Sequence, residues 1–309
     1  MTLRILDAGS TRGERWIERL HARGGSVLDK KTLLAAARIV AAVRKGGDRA
    51  LVEQVARFDG VGVEHASELR FVANDPAADR ALLPPGFAAA LETAITAVER
   101  FHRDRAPRGY AIEEDGITLE QVISPLARVG VYVPGGRAIY PSTVVMTVVP
   151  ARLAGVNEIV VATPPSALAD SAALRYTLAR LGVDEVWGMG GAHAIAALAH
   201  GTESVRAVDK IVGPGNAWVT AAKTLVSGAV AIDGVAGPTE VVIVADETCD
   251  PRWIAADLLA QAEHDPRAAA VLVTFDREFA RAVAAEVARQ LAALAKAGAP
   301  TAENARLAI

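Results

Sequence analysis

The chain has one cysteine, Cys249, in 309 residues. No disulfide can form within it, which fits a reducing compartment. There is no excess of positive charge: 33 Lys and Arg stand against 36 Asp and Glu, for a net charge of -3 and a pI near 6.1. A nucleic-acid binder would carry a basic patch, so nucleic acid is excluded as the expected partner. Long apolar runs are also missing. Gly, Pro or a charge interrupts each of them short of the roughly 20 residues that a membrane helix needs. Met1 is followed by Thr-Leu-Arg-Ile-Leu-Asp, which is not a basic patch ahead of an apolar stretch, so no secretory leader is read. No fixed-period repeat is visible. These absences together lead to the expectation of a cytoplasmic protein with small-molecule partners and no membrane association.

Hydrophobic residues make up 51% of the chain and charged residues 22%, enough to bury a substantial core over two domains of ordinary size. The first hundred residues read as helical. Amphipathic patterns cover 32–44 and 48–58, with Gly46 and Gly47 between them, Asp48 as an N-cap and Asp59-Gly60 as the stop. A longer helix is expected over 84–105, opening near Pro84-Pro85. From about residue 118 the pattern changes. Strands are expected at 117–123, 127–133, 158–163, 185–188, 208–212, 229–232 and 240–245. Helices are expected between them at 143–155, 166–181, 191–200 and 215–226, followed by a helix, strand and helix at 251–264, 269–275 and 277–297. Short continuous apolar strands alternating with helices predict parallel sheets covered on both faces. The fold class expected is α/β, with two Rossmann-like units behind a helical N-terminal segment. The expected boundaries are an extension over 1–28, a first domain formed by 29–130 together with 238–309, and an inserted second domain over 131–237.

Three glycine-rich turns follow three of these strands. Gly130-Val131-Tyr132-Val133-Pro134-Gly135-Gly136 lets the backbone bend sharply and approach a ligand, or is a tight strand-to-helix turn. Gly188-Met189-Gly190-Gly191-Ala192-His193 resembles a dinucleotide loop without its third glycine. Backbone N–H groups at this helix start suit a phosphate, and His193 is either a ligand contact or a residue bonded to backbone. Ile211-Val212-Gly213-Pro214-Gly215-Asn216 offers Asn216 as an N-cap or as a cofactor contact. The three turns would line one edge of a sheet, where a nucleotide could lie. Gln261 and His264 are three apart and share one helix face, a pattern that suits either two metal ligands or a helix-end histidine favoured by the dipole. Thr239, in Ala236-Gly237-Pro238-Thr239-Glu240, offers a hydroxyl to a substrate or serves as a strand cap. His21, His65, His102 and His200 have no partners by spacing, and Cys249 reads as structural.

The segments GGDRALVEQVARFDGV at 46–61, RVGVYVPGGRAIYPSTVVMTVVPARLAGVNEIVVATPP at 128–165, GGAHAIAALAHGTESVRAVDKIVGPGNAWV at 190–219 and IDGVAGPTEVVIVADETCDPRWIAADLLAQAEHDP at 232–266 together resemble the histidinol dehydrogenase family. That family oxidises L-histidinol to L-histidine through the aldehyde, the closing step of histidine biosynthesis, delivering two hydrides to two NAD molecules. The resemblance implies that Tyr132, His193 and Asn216 touch NAD, and that Thr239 touches substrate. It implies that Gln261 and His264 bind zinc and substrate, and that the protein is a homodimer. Where the family usually has Gln, His193 keeps one donor and one acceptor. Where Ser is usual, Thr239 keeps the hydroxyl and adds a methyl. The family's catalytic Glu-His pair and two further zinc ligands match nothing up to Ile309, so the 309-residue chain is expected to have weak dehydrogenase activity or none. The alternatives carried are a relative oxidising another polar alcohol such as sulfopropanediol, and a catalytically inactive truncated form.

Overall fold

The computed structural model describes residues 3–23, 28–72, 76–135, 140–235, 240–263 and 268–296. The chain divides into two compact units, residues 28–235 and residues 1–27 with 236–309. The expected division joined 29–130 to 238–309. The packing instead joins 29–130 to the segment that follows it. The reason lies in helix α2 (Lys30–Phe58), whose Ala36, Ile39, Val43, Leu51 and Val55 enter the same core as Ile195 and Leu198 of α8 (Gly191–His200) and Val219 of α9 (Ala217–Val226).

The larger unit is built on a six-stranded sheet in the order β1-β6-β5-β4-β7-β8. Its strands are β1 (Arg70–Phe71), β4 (Arg128–Tyr132), β5 (Glu158–Thr163), β6 (Glu185–Gly188), β7 (Lys210–Val212) and β8 (Ala231–Ile232). All neighbours run parallel except the short edge strand β1, antiparallel to β6. Strand side chains alternate between the two faces. Tyr132, Val160, Ala162 and Ile211 therefore face α2, α8 and α9. Val131, Val133, Val161 and Val186 face the other layer, formed by α4 (Phe87–His102), α5 (Pro141–Leu153) and α7 (Ala172–Arg180). At the amino ends of the strands, buried Arg128 spans Glu158 on β5 at 2.8 Å and Glu185 on β6 at 2.6 Å. The smaller unit contains α1 (Thr11–Arg23) and a β-α-β-α run of β9 (Glu240–Val244), α10 (Pro251–Ala262), β10 (Ala269–Val273) and α11 (Arg277–Lys296), with β9 and β10 parallel. Ile254, Leu258, Phe279, Val283 and Val287 form its core.

The α/β class and the helical N-terminal segment stand as expected, with several local differences. Helices 32–44 and 48–58 run on as α2, bent at Gly47 (φ 54°, ψ -139°). A Cβ at Gly47 would strike the Glu203 carboxylate, and the Asp48 carboxylate bonds the Ser204 hydroxyl and amide instead of capping its own helix. The helix expected over 166–181 breaks at Ser171, whose hydroxyl caps α7 through Leu174 N–H. The strand expected at 117–123 pairs with an unforeseen one, giving the hairpin β2 (Tyr110–Glu114) and β3 (Ile117–Gln121). Among the described residues, no helix is long and apolar enough to cross a membrane.

Candidate functional site

The chain runs β4, β5, β6 in one direction across the sheet and then returns to place β7 on the other side of β4. Beyond the carboxyl ends of β4 and β7 lies the switch point, where open α/β sheets form a crevice. Tyr132 ends β4, and Gly213 follows β7 directly.

The β7 turn is held from several sides. Gly213 takes φ 114°, and a Cβ there would collide with the Tyr132 carbonyl oxygen. One at Gly215 would collide with Val219. The turn can therefore present only backbone at these positions. Buried Lys223 of α9 donates from Nζ to the Gly213 carbonyl at 3.0 Å, while Asp233 Oδ2 accepts the Gly213 N–H at 2.8 Å. Lys223 and Asp233 are themselves paired. Asn216, exposed, ends the turn as the N-cap of α9, its Oδ1 accepting from Trp218 N–H at 3.0 Å and Val219 N–H at 3.2 Å. Its side-chain amide nitrogen is what it has left to offer a ligand. Trp218 beside it is 40% exposed.

The β6 turn departs from expectation. Two of the N–H groups at the start of α8, expected to suit a phosphate, are taken by the chain itself. Gly190 N–H donates to Asp59 Oδ2 at 3.0 Å, and Gly191 N–H to the Tyr132 hydroxyl at 3.0 Å. Asp59 Oδ2 also lies 2.9 Å from His193 Nε2. The carboxylate at the end of α2 thus stands where an external anion would otherwise dock. His193 is 1% and Tyr132 3% exposed, so both act beneath the edge. Burial pushes the Tyr132 hydroxyl up to about 12; the Gly191 hydrogen bond works in the opposite sense and the Asp59 charge adds to the rise. Phe58, 48% exposed, stacks on the His193 ring at 6.1 Å between centroids and carries Arg57 at 4.9 Å.

Of the residues predicted from sequence, the structure brings Tyr132, His193 and Asn216 to this one edge of the larger unit. Sequence reasoning missed Asp59, Lys223 and Asp233. Gln261 lies in the last turn of α10 in the smaller unit, partly buried. Gly136, Thr239 and His264 lie outside the described residues. Among the described residues, no three His, Cys, Asp or Glu side chains gather as a metal cluster, so a zinc set is not complete within them.

The sequence model of the histidinol dehydrogenase family matches residues 25–307. The chain belongs to the histidinol dehydrogenase family. It is 50% identical over 246 residues to the histidinol dehydrogenase of Methanothermobacter thermautotrophicus, an alignment covering 78% of this chain and 57% of that relative. It is 48% identical over 283 residues to the one from Moorella thermoacetica, covering 91% of this chain and 65% of the relative. The crystal structure of histidinol dehydrogenase from Elizabethkingia anophelis superposes with a TM-score of 0.79 at 34% identity, over 89% of this chain and 62% of that one. The chain thus spans about three-fifths of the length of these histidinol dehydrogenases.

Proposed function

We propose that this chain supplies the nucleotide- and metal-binding part of an NAD-dependent histidinol dehydrogenase, which oxidises L-histidinol to L-histidine through the aldehyde in the cytoplasm. Membership of the family supports the substrate and the reaction. The single observation carrying the cofactor assignment is the switch point between β4 and β7, walled at Gly213 and Gly215 by backbone and bordered by the exposed amide of Asn216. Those features fit a flat, hydrogen-bonding ligand such as a dinucleotide.

In this reading Asn216 bonds NAD through its amide nitrogen, and the exposed rings of Trp218 and Phe58 offer stacking surface nearby. Tyr132 and His193 contribute by fixing the Gly190–Gly191 turn that borders the cofactor. Bound NAD supplies the hydride acceptor, and the work of the protein is to position it and exclude water. Thr239 would bond the substrate hydroxyl or amine. Gln261 and His264 are proposed as zinc ligands and substrate contacts, and a homodimer as the assembled form.

The test has two arms on the purified chain. Calorimetric titration should show NAD binding at one class of site, weakened at least tenfold by Asn216→Asp. Metal analysis after zinc dialysis should show a lower zinc content in His264→Asn than in the parent. Absence of NAD binding in the folded chain would refute the cofactor assignment, and equal zinc in parent and variant would refute the ligand assignment.

A further inference from the structure

A pocket of about 720 Å³ lies at the β1 edge of the sheet in the larger unit. Small-molecule sites run from about 300 to 1,000 Å³. Val61 and Val63 line it from the segment after α2, with Phe71 of β1, Leu168 of α6 (Pro165–Asp170) and Gly188 at the end of β6. Val72 and Leu82 line it too and stay 74% and 70% exposed, so much of its apolar lining is uncovered. The pocket adjoins the carboxyl edge already described. Asp59, just ahead of Val61, accepts the N–H of Gly190, just past Gly188. Across the sheet, β6 is separated from β7 by β5 and β4, a distance of about 14 Å at the usual strand spacing. One extended dinucleotide can reach that far.

One carboxylate dominates the polar lining. Asp79 of α3 (Pro76–Ala81) is buried. Arg175 of α7 donates to Asp79 Oδ1 from Nε at 2.8 Å and from Nη2 at 2.6 Å. Its Nη1 donates to the carbonyls of Leu168 at 2.6 Å and Ala169 at 3.0 Å. The guanidinium is spent on these bonds and holds the carboxylate in one orientation. Asp79 Oδ2 accepts no hydrogen bond among the described residues, although buried polar atoms are as a rule paired. A fixed acceptor in an apolar recess suits vicinal hydroxyls, as an acidic side chain suits a nucleotide ribose. Phe71 offers a ring to a flat base. Exposed Arg70, which also lines the pocket, offers a guanidinium to a purine face or a phosphate.

We propose that this pocket is an adenosine site in which Asp79 accepts from the ribose hydroxyls and the apolar lining covers the base. Two sources carry that group: the adenosine end of the dinucleotide, which rests on the NAD reading above, and a free adenine nucleotide. Calorimetric titration of the whole chain with AMP and with its 2′,3′-dideoxy analogue tests the site. The parent should bind AMP at least tenfold more tightly than the analogue. Replacing the ion pair as a unit, Asp79→Ala with Arg175→Met, leaves no buried charge unpaired and should bring the two affinities together. Ala169 is exposed and lines the pocket, so Ala169→Trp fills the space without entering the core and should weaken AMP at least tenfold. That variant decides the matter even if the double change fails to fold. Titrating NAD into the AMP-saturated parent separates the sources. A raised NAD dissociation constant assigns the pocket to the dinucleotide, and an unchanged one makes it a separate nucleotide site. A parent that binds NAD but not AMP, or that binds AMP and the analogue equally, overturns the pocket and leaves the NAD reading standing. AMP binding lost in Ala169→Trp, in a parent that binds no NAD, upholds the pocket while the NAD reading falls.

Discussion

Lys223 and Asp233 hold the two sides of a single residue. Lys223 Nζ donates to the carbonyl of Gly213 and the Asp233 carboxylate accepts its N–H, while the two side chains pair with each other. The grip fastens the β7 turn to α9 and to the end of β8 at the sheet's switch point. Asp233→Asn would leave the Lys223 ammonium, 5% exposed, without its counter-charge, and would turn a donor toward Gly213 N–H. Breaking a buried pair from one side costs about 3–5 kcal/mol. Asp233 is 39% exposed, so solvent offsets part of this and about 1–2 kcal/mol is expected. Lys223→Met removes the buried charge itself and should cost less. Urea unfolding of the two variants checks the order; a costlier Lys223→Met would contradict the account.

His193 and Asp59 give a second expectation. Asp59 Oδ2 accepts from Gly190 N–H and lies 2.9 Å from His193 Nε2. His193→Gln keeps a donor of similar reach, so stability should change by less than about 1 kcal/mol. His193→Leu leaves a nearly buried carboxylate short of a partner, for which about 1–3 kcal/mol is expected. Thermal unfolding separates the two. Equal losses would mean that ring volume, not the hydrogen bond, is what the position requires.

Tyr132 predicts an alkaline effect. Its folded-state value of about 12 lies above the ordinary tyrosine value of 10, so the unfolded chain ionises first. The associated stability is complete below pH 10 and is lost as pH rises through 12. Two units correspond to at most ~3 kcal/mol. Tyr132→Phe should lower stability at neutral pH by about 1–3 kcal/mol, because Gly191 N–H loses its acceptor, yet flatten the decline between pH 10 and 12. Parallel slopes in parent and variant over that window would refute the assignment.

The sequence pattern carried the sheet because its strands are short, apolar and bounded by glycine; β4, β5, β6 and β9 lie within a residue or so of expectation. Its glycine-rich turns also marked the carboxyl edge of that sheet, where Tyr132 ends β4 and His193 and Asn216 stand at the starts of α8 and α9. What it did not carry were partners distant along the chain. Asp59 meets Gly190 and His193 across more than 130 residues, and Asp48 meets Ser204 across 156. Each left a local trace. Asp59 ends a helix where an acid opposes the dipole, and Lys223 is a single cation inside the apolar run Ala217–Val226. A residue whose local placement is unfavourable is held there by something else. The domain boundary was missed for a related reason: hydrophobic periodicity shows which face of α2 is buried, not against which sheet.

Asn216 separates a structural role from a ligand-binding one within one side chain. Its Oδ1 caps α9 at Trp218 and Val219, and its amide nitrogen is the part proposed to meet NAD. Asn216→Ala removes both, so it should cost about 0.5–2 kcal/mol of stability and also weaken NAD. Asn216→Asp keeps an oxygen for the cap and adds a negative charge that suits a helix start, so stability should hold or rise. The same change deletes the donor and sets a carboxylate against the anionic dinucleotide, so the NAD dissociation constant should increase at least tenfold. Stability and affinity therefore move apart in Asp and together in Ala. If Asn216→Asp binds NAD as the parent does, Asn216 is a helix cap and no more, and the cofactor contact must be sought elsewhere on the β4–β7 edge.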